Sequence, residues 1–213
     1  MAFDPKKHHR RSIRMPGHDY AEPGPYFVTV CARDQIDFFG AVVGEAMHEN
    51  DAGRMVDHWW HEIPEKFPLV GLDVHVVMPN HTHAVLMLGM TRGDDGRWEF
   101  AQAWEDEWSP LGAMLQWFKT MTTNAYIHGV KAAGWRRFPG KLWHRNYWEH
   151  VAREAEAFQR IAEYVRTNPA RWAFDRENPH RQGDDPFDLW LDTFRRTDTE
   201  KPPDGDGASD PDL

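Results

Sequence analysis

The sequence predicts an α+β fold in which helices pack on the faces of an antiparallel sheet. Two apolar runs with strand character follow each other with no helix between them, and such neighbours pair antiparallel. Amphipathic stretches with helical spacing separate the other apolar runs. The chain has 213 residues, 40% of them hydrophobic, which is enough for one main core.

The N-terminal half is predicted to contain three strands and one helix. In chain order these are a strand at 25–32, an amphipathic helix between 45 and 67, and strands at 69–78 and 81–88. The strands are rich in aromatic and β-branched residues, and the pair Pro79-Asn80 forms a turn between the last two. Apolar residues from Met47 to Ile63 give the helix its buried face, and Pro68 closes it.

The C-terminal half is predicted to add two helices and an aromatic segment. These are a helix that starts at Ser109, a strand or irregular segment at 142–151, and a helix at about 152–167 that Asn168-Pro169 ends. The acidic residues 90–108 lack a core pattern, so we predict an insertion or mobile loop there. The last dozen residues have the composition of a disordered segment, although the apolar residues in 187–194 suit a short helix.

Charge divides the chain into segments of opposite sign, although the net charge is -9. Residues 1–20 form a basic arm with five Lys/Arg against two acids, and residues 109–183 carry twelve against six. Residues 184–213 form an acidic, partly disordered tail with three against ten. A polyanion can therefore bind locally despite the net charge, but charge alone does not identify one.

Two histidines share one face of the third predicted strand. Side chains alternate along a strand, so His81 and His83 project together while Thr82 points to the opposite face. Paired imidazoles suit a metal ion. With thirteen histidines in the chain, chance alone supplies about one such spacing, so the pair is weak evidence by itself.

Tyr164 and Asn168 lie four residues apart near the end of the last predicted helix and therefore share a face. The simple interpretation is a core tyrosine followed by a helix-ending asparagine. The alternative is a nucleophilic phenol, which is chemically possible when the electrophile is already polarised by a metal.

Six motifs that follow one another along the chain resemble those of a known protein family. They are RRSIRMPGHDY (10–20), YFVTV (26–30), MPNHTH (78–83), FKT (118–120), LWHRNYWEHV (142–151) and YVRTNP (164–169). In this series the chain resembles the REP-associated tyrosine transposases, a branch of the single-tyrosine HUH transposases. The resemblance covers about residues 10–172 and implies a ferredoxin-like/RRM-like HUH fold, with 21–183 as the transposase domain and 90–108 and the tail outside the shared pattern.

The resemblance also implies a reaction and a metal. His81 and His83, with Asn168 as a third ligand, would hold one Mg²⁺ or Mn²⁺. Tyr164 would attack a scissile phosphate and form a 5′-phosphotyrosine link, and a second 3′-hydroxyl would then reseal the strand. The expected substrate is single-stranded DNA beside a palindromic hairpin.

Seven basic residues are candidate DNA contacts, each of which is otherwise an ordinary solvated charge: Arg10, Arg11, Arg14, Lys119, Arg136, Arg137 and Arg145. Trp143, His144 and Tyr147 are either stacking platforms for bases or core residues.

Two other functions stay open at this stage. One is a repeat-DNA-binding regulator that keeps the fold without strand transfer, and the other is a metal-dependent hydrolase in which water attacks. No apolar run is long enough for a membrane helix, and the N-terminus lacks a secretory pattern, so we expect a cytoplasmic protein without a membrane partner. The resemblance to the REP-associated branch implies a monomer, and we expect a monomer rather than a dimer.

Overall fold

A computed structural model describes residues 22–101 and 110–197. In chain order the elements are β1 (Gly24–Cys31), a 3₁₀ turn (Arg33–Gln35), β2 (Gly40–Val43), β3 (Ala46–Glu49), α1 (Asp51–Lys66), β4 (Val70–Val77), β5 (His81–Leu88), β6 (Met90–Arg92), β7 (Trp98–Phe100), α2 (Pro110–Ala133), β8 (Trp148–Val151), α3 (Ala155–Arg171), a second 3₁₀ turn (Trp172–Phe174) and α4 (Pro186–Thr197).

A four-stranded antiparallel sheet organises these elements, with the strands in the order β4-β5-β1-β8. Four strands and two helices follow each other along the chain as β1, α1, β4, β5, α2 and β8. This βαββαβ order with β1 and β5 in the centre is the ferredoxin-like arrangement. The predicted fold class is therefore confirmed.

Helices cover both faces of the sheet. The larger core lies on the face covered by α1 and α2, where Trp60 of α1 stacks on Phe118 of α2 with ring centroids 4.1 Å apart. The smaller core lies on the opposite face under α3 and α4, where Ile161 and Phe187 pack against Phe27 and Val85 of the central strands. This second face carries the candidate site.

The first helix starts later than its apolar pattern predicts. The apolar pattern extends back to Met47, but Ala46–Glu49 is a strand that pairs with Gly40–Val43 in a hairpin. Asn50 ends this hairpin and caps α1, because its side-chain oxygen accepts a hydrogen bond from the Gly53 N–H at 2.9 Å. The cap sets the true helix start at Asp51.

The acidic segment 90–108 is not simply an insertion without structure. Its first part forms a hairpin of β6 and β7, and residues 102–109, including Ser109, lie outside the described residues. Trp98 of this hairpin packs on the smaller core, and its indole N–H donates to Asp73 at 2.9 Å. A partly buried aromatic ring thus attaches an otherwise acidic stretch to the smaller core.

The third helix continues past its predicted end. Asn168 and Pro169 lie inside α3, which starts at Ala155 and reaches Arg171. Proline has no N–H to donate to the carbonyl four residues back, so α3 lacks one backbone hydrogen bond at Pro169 and still continues for two more residues. Asn168 therefore keeps a helical position on the buried face, one turn after Tyr164.

Part of the acidic tail is ordered as α4, which confirms the short helix predicted there. Phe187 and Leu191 are buried in the smaller core, whereas Leu189 is 57% exposed. Residues 198–213 lie outside the described range, so the predicted disorder of the last dozen residues is not tested. Within the described ranges, no helix combines the length and apolar character needed to cross a membrane.

Candidate active site

The two histidines of β5 face the smaller core, side by side, as their spacing predicts. His81 and His83 are buried, and their Nε2 atoms lie 2.9 Å apart. Thr82 points to the opposite face, where its hydroxyl accepts from the Trp60 indole N–H at 2.8 Å and donates to the Val76 carbonyl. The hydroxyl is therefore satisfied in the larger core and does not enter the site.

Neighbouring side chains orient both imidazoles. The side-chain oxygen of Asn80 lies 3.0 Å from His81 Nδ1, and the Asn80 amide nitrogen is fixed by donation to two backbone carbonyls, those of Gln35 and Glu177. An amide oxygen only accepts, so His81 Nδ1 carries the proton and Nε2 presents its lone pair. Thr29 of β1 lies opposite His83 in the sheet and contacts its Nδ1 at 2.9 Å.

Asp175 joins the histidines to α3, although no spacing or motif in the sequence marks it. It follows the second 3₁₀ turn and is 1% exposed. Its Oδ2 lies 3.7 Å from His81 Nε2 and 3.9 Å from His83 Nε2. His81, His83 and Asp175 thus form a buried group whose ligand atoms all lie within 4.8 Å of one another.

Tyr164 and Asn168 reach the same carboxylate from one face of α3. The Tyr164 hydroxyl donates to Asp175 Oδ2 at 3.2 Å, and the Asn168 amide nitrogen donates to the same oxygen at 2.9 Å. The shared face predicted from their spacing is confirmed. The four residues His81, His83, Tyr164 and Asn168, separated by some eighty positions in the chain, meet around Asp175.

Two buried groups of the site, His81 and Asp175, are both deprotonated at neutral pH. Burial lowers the pKa of His81 to about 3, so its imidazole is neutral at pH 7. Burial acts to raise the pKa of Asp175, but the charge of His81 and the hydrogen bond with His83 outweigh it and keep that pKa well below its usual value. The site is therefore an ionised carboxylate beside neutral imidazole, a donor set that can ligate a cation.

The lowered pKa of His81 predicts that acid destabilises the protein when EDTA keeps it free of metal. An unfolded His81, with the ordinary pKa of 6.5, binds a proton that the folded one refuses, so stability is lost as pH falls below 6.5. Between pH 7 and pH 5 the free energy of unfolding should fall by about 2 kcal/mol through this residue. Urea unfolding in EDTA should show that decrease in the wild type and in His128→Gln, whose histidine is exposed on α2. An equal decrease in His81→Gln would contradict this origin.

The residues present fit a divalent cation. Asn168 Oδ1 is buried and makes no hydrogen bond, which is costly for an amide oxygen unless an ion or donor satisfies it. Two imidazoles with a carboxylate and an amide oxygen form the mixed nitrogen and oxygen set that binds such ions. Asn168 is thus available as the third ligand expected from the sequence, and Asp175 adds a possible fourth.

Tyr164 is closed off from solvent by α4. The side chain is 2% exposed, and the Phe187 ring stacks on it with centroids 3.7 Å apart and planes 9° from parallel. Burial raises the pKa of the phenol well above its usual value, and three nearby carboxylates, Asp175 first, raise it further. In this conformation the hydroxyl is neutral and shielded.

The candidate DNA contacts are distributed unevenly. Arg10, Arg11 and Arg14 lie outside the described residues, and Arg136, Arg137 and Arg145 are exposed. Lys119 instead donates from Nζ to three backbone carbonyls of residues 144–146, and burial lowers its pKa to about 8. Trp143 is a core residue at 4% exposure, His144 is exposed, and Tyr147 is half-buried against the larger core.

Comparisons with known proteins find a sequence relative and several distant structures. No family model matches the chain. An uncharacterized protein of Haemophilus influenzae is 32% identical over 176 residues, which cover 79% of this chain and 92% of the relative. A REP-associated tyrosine transposase bound to a REP hairpin aligns with a TM-score of 0.47 and 17% identity over 76% of this chain and 74% of that one. A candidate transposase of Deinococcus radiodurans aligns at 0.40 and 13% over 74% and 96%.

Proposed function

We propose that this chain, which belongs to one family with the Haemophilus influenzae protein, is a single-tyrosine HUH enzyme that cleaves and rejoins single-stranded DNA. The observation that carries the proposal is the convergence of His81, His83, Tyr164 and Asn168 on one buried carboxylate. A core tyrosine with no role in chemistry would not need two imidazoles and a buried carboxylate beside its hydroxyl. We further propose that the substrate is a strand next to a palindromic hairpin.

The reaction exchanges one ester bond for another. The Tyr164 oxygen attacks the scissile phosphorus, a P–O bond to the tyrosine forms, and the bond to the 3′-oxygen breaks. The phenol proton leaves the tyrosine and a proton arrives on the 3′-oxygen, so the products are a 5′-phosphotyrosine and a free 3′-hydroxyl. A second 3′-hydroxyl reverses these steps on the intermediate and reseals the strand. No ATP is required, because no bond is hydrolysed.

The residues of this chain supply positioning and charge. Asp175 Oδ2 accepts a hydrogen bond from the Tyr164 hydroxyl and so holds that hydroxyl on the side of the two imidazoles. His81, His83, Asn168 and Asp175 would hold one Mg²⁺ or Mn²⁺, and such an ion neutralises charge on a phosphate oxygen and assists a leaving oxygen. Asn80 and Thr29 keep the rings in place from the second layer.

The closed conformation requires α4 to move before DNA can reach the tyrosine. Phe187 occupies the space above the Tyr164 ring, and Leu191 packs beside it in the same core. Displacing α4 would expose the phenol and remove nearby carboxylates, both of which lower its pKa toward the ordinary value. Access to the tyrosine therefore depends on α4, the part of the acidic tail that packs on the smaller core.

Phe187→Ala should speed formation of the covalent adduct and weaken the fold at the same time. The lost ring leaves a cavity over Tyr164, and such truncations cost about 3–5 kcal/mol of stability. The rate of adduct formation at saturating DNA, measured below the melting temperature, should exceed that of the wild type. Leu189→Ala is the matched control, since this neighbour is exposed and should leave the rate unchanged. Equal rates for Phe187→Ala, Phe187→Leu and wild type would show that α4 does not limit access.

We propose that DNA is held by the basic arm together with Arg136, Arg137 and Arg145. These three arginines are exposed and belong to the segment with an excess of basic residues. Lys119 has a different part in this scheme. Its ammonium anchors the loop that presents His144 and Arg145, so its contribution to DNA binding is indirect.

Deleting residues 1–14 should weaken DNA binding and reduce its salt dependence. The deletion removes five Lys/Arg, and if about three of them contact phosphates, the slope of log affinity against log salt falls by about two to three units. Fluorescence anisotropy with a labelled hairpin at several salt concentrations measures this slope. The deletion leaves His81, His83 and Tyr164 in place, so adduct formation should survive at saturating DNA. An unchanged slope would assign binding to the other basic segment alone.

A metal-dependent hydrolase is the second candidate, because the buried His81, His83 and Asp175 also suit a metal-bound water. Incubation with 5′-labelled and 3′-labelled single strands on a denaturing gel separates the two reactions. Strand transfer leaves a protein-linked fragment and a free 3′-hydroxyl fragment. Hydrolysis leaves two free fragments and no linked protein, and a binding protein without chemistry leaves the DNA intact.

A further inference from the structure

A second group of metal-binding side chains lies between α1 and the edge strand β4. Asp57 and His61 are one turn apart on α1, and His75 faces them from β4. His75 Nε2 lies 2.7 Å from Asp57 Oδ1, His61 Nδ1 lies 3.8 Å from Asp57 Oδ2, and the two imidazole ring centroids are 4.8 Å apart. One ligand atom from each residue falls within 4.8 Å of the others.

This group is separate from the candidate active site. α1 covers the face of the sheet that holds the larger core, whereas His81 and His83 point to the face under α3 and α4. The group also opens to solvent, because the side chains of His61 and Asp57 are 60% and 41% exposed. His75 is only 15% exposed, so the group has one fixed imidazole at its base and two ligands at its rim.

The Asp57 carboxylate hydrogen-bonds with His75 Nε2, and His61 Nδ1 lies 3.0 Å from the Asp57 backbone carbonyl, so contacts with Asp57 hold both imidazoles in place. The second imidazole packs edge-on against the first on the same side of the carboxylate. The charge of Asp57 also reaches Glu49, whose pKa is raised by burial and then by Asp57, while the nearby Arg54 guanidinium lowers it.

We propose that Asp57, His61 and His75 form a second metal site, which takes a zinc-class divalent ion. Two neutral imidazoles and one carboxylate are ligands that Zn²⁺ and its neighbours in the first transition row prefer, while Mg²⁺ prefers oxygen ligands. Three protein ligands leave a fourth position open toward solvent. A bound ion joins α1 to the edge of the sheet, and the inference does not depend on the reaction proposed above.

The test is a zinc titration in competition with a chromophoric chelator. Wild-type protein should bind one more equivalent of Zn²⁺ than His61→Gln and Asp57→Asn, because each variant removes a rim ligand without opening the core. His58→Gln is the matched control, since this histidine is exposed on the same helix and pairs with Glu62 outside the group. Any zinc bound at the active site is common to the wild type and the variants, because none of these substitutions lies there. It therefore cancels when the bound equivalents are compared.

A second readout identifies the coordination. Addition of Co²⁺ to wild type and His58→Gln should give a visible absorption band from imidazole-bound cobalt that is absent or weaker in His61→Gln. Circular dichroism in EDTA confirms that all variants are folded. The proposal is overturned if His61→Gln and Asp57→Asn bind the same number of Zn²⁺ equivalents as the wild type.

Discussion

Tyr164→Phe should abolish covalent attachment to DNA while leaving hairpin binding nearly unchanged. The substitution removes only the oxygen that attacks phosphorus, and the ring keeps its stacking on Phe187 and its contact with Phe27. The lost hydrogen bond to Asp175 should cost about 1 kcal/mol of stability, too little to unfold the domain. Denaturing gels measure the adduct, and anisotropy with a labelled hairpin measures binding.

Tyr126→Phe provides the matched control for the tyrosine. It removes a hydroxyl that donates to the Arg136 carbonyl on the opposite face of the sheet. This variant should form the adduct at the wild-type rate. Cleavage by Tyr164→Phe at the wild-type rate would remove the tyrosine from the chemistry and favour the hydrolase.

His81→Ala and His83→Ala should each stop cleavage, with a loss of several orders of magnitude, and chelation should have the same effect on the wild type. Both imidazoles point their Nε2 atoms into the site. Loss of either imidazole weakens metal binding, and the scissile phosphate then lacks the Lewis acid that neutralises its charge. Asn168→Ala should be milder and should be rescued by higher Mn²⁺, since a neutral amide contributes less than an imidazole. His128→Ala is the control. Cleavage in EDTA at the wild-type rate would contradict the metal role.

The sheet and its histidine face follow directly from the sequence. Strand alternation in 81–88 separates Thr82 from the two imidazoles, and the turn at Pro79-Asn80 makes β4 and β5 antiparallel neighbours. Both facts depend on local geometry, which short patterns encode. The pairing of Tyr164 with Asn168 is local in the same sense, because one helical turn separates them.

The residues that complete the site depend on contacts between distant segments, which local patterns do not contain. Asp175 comes after a 3₁₀ turn with no spacing that marks it, and it becomes important only because α3 places it beside β5. Phe187 belongs to a segment whose composition is acidic, so its stacking on Tyr164 cannot be predicted from that composition. The same holds for Trp98, whose burial orders an otherwise acidic stretch.

Peptide mapping of the trapped adduct tests the central proposal most directly. Wild-type protein is incubated with single-stranded DNA and Mn²⁺, digested with nuclease and trypsin, and analysed by mass spectrometry. Trypsin cuts after Arg160 and Arg166, so Tyr164 lies in the peptide IAEYVR, where it is the only tyrosine. If Tyr164 is the nucleophile, a nucleotide is attached to this tyrosine through a phosphate. Attachment at another residue, or cleaved DNA with no modified peptide, would contradict this proposal.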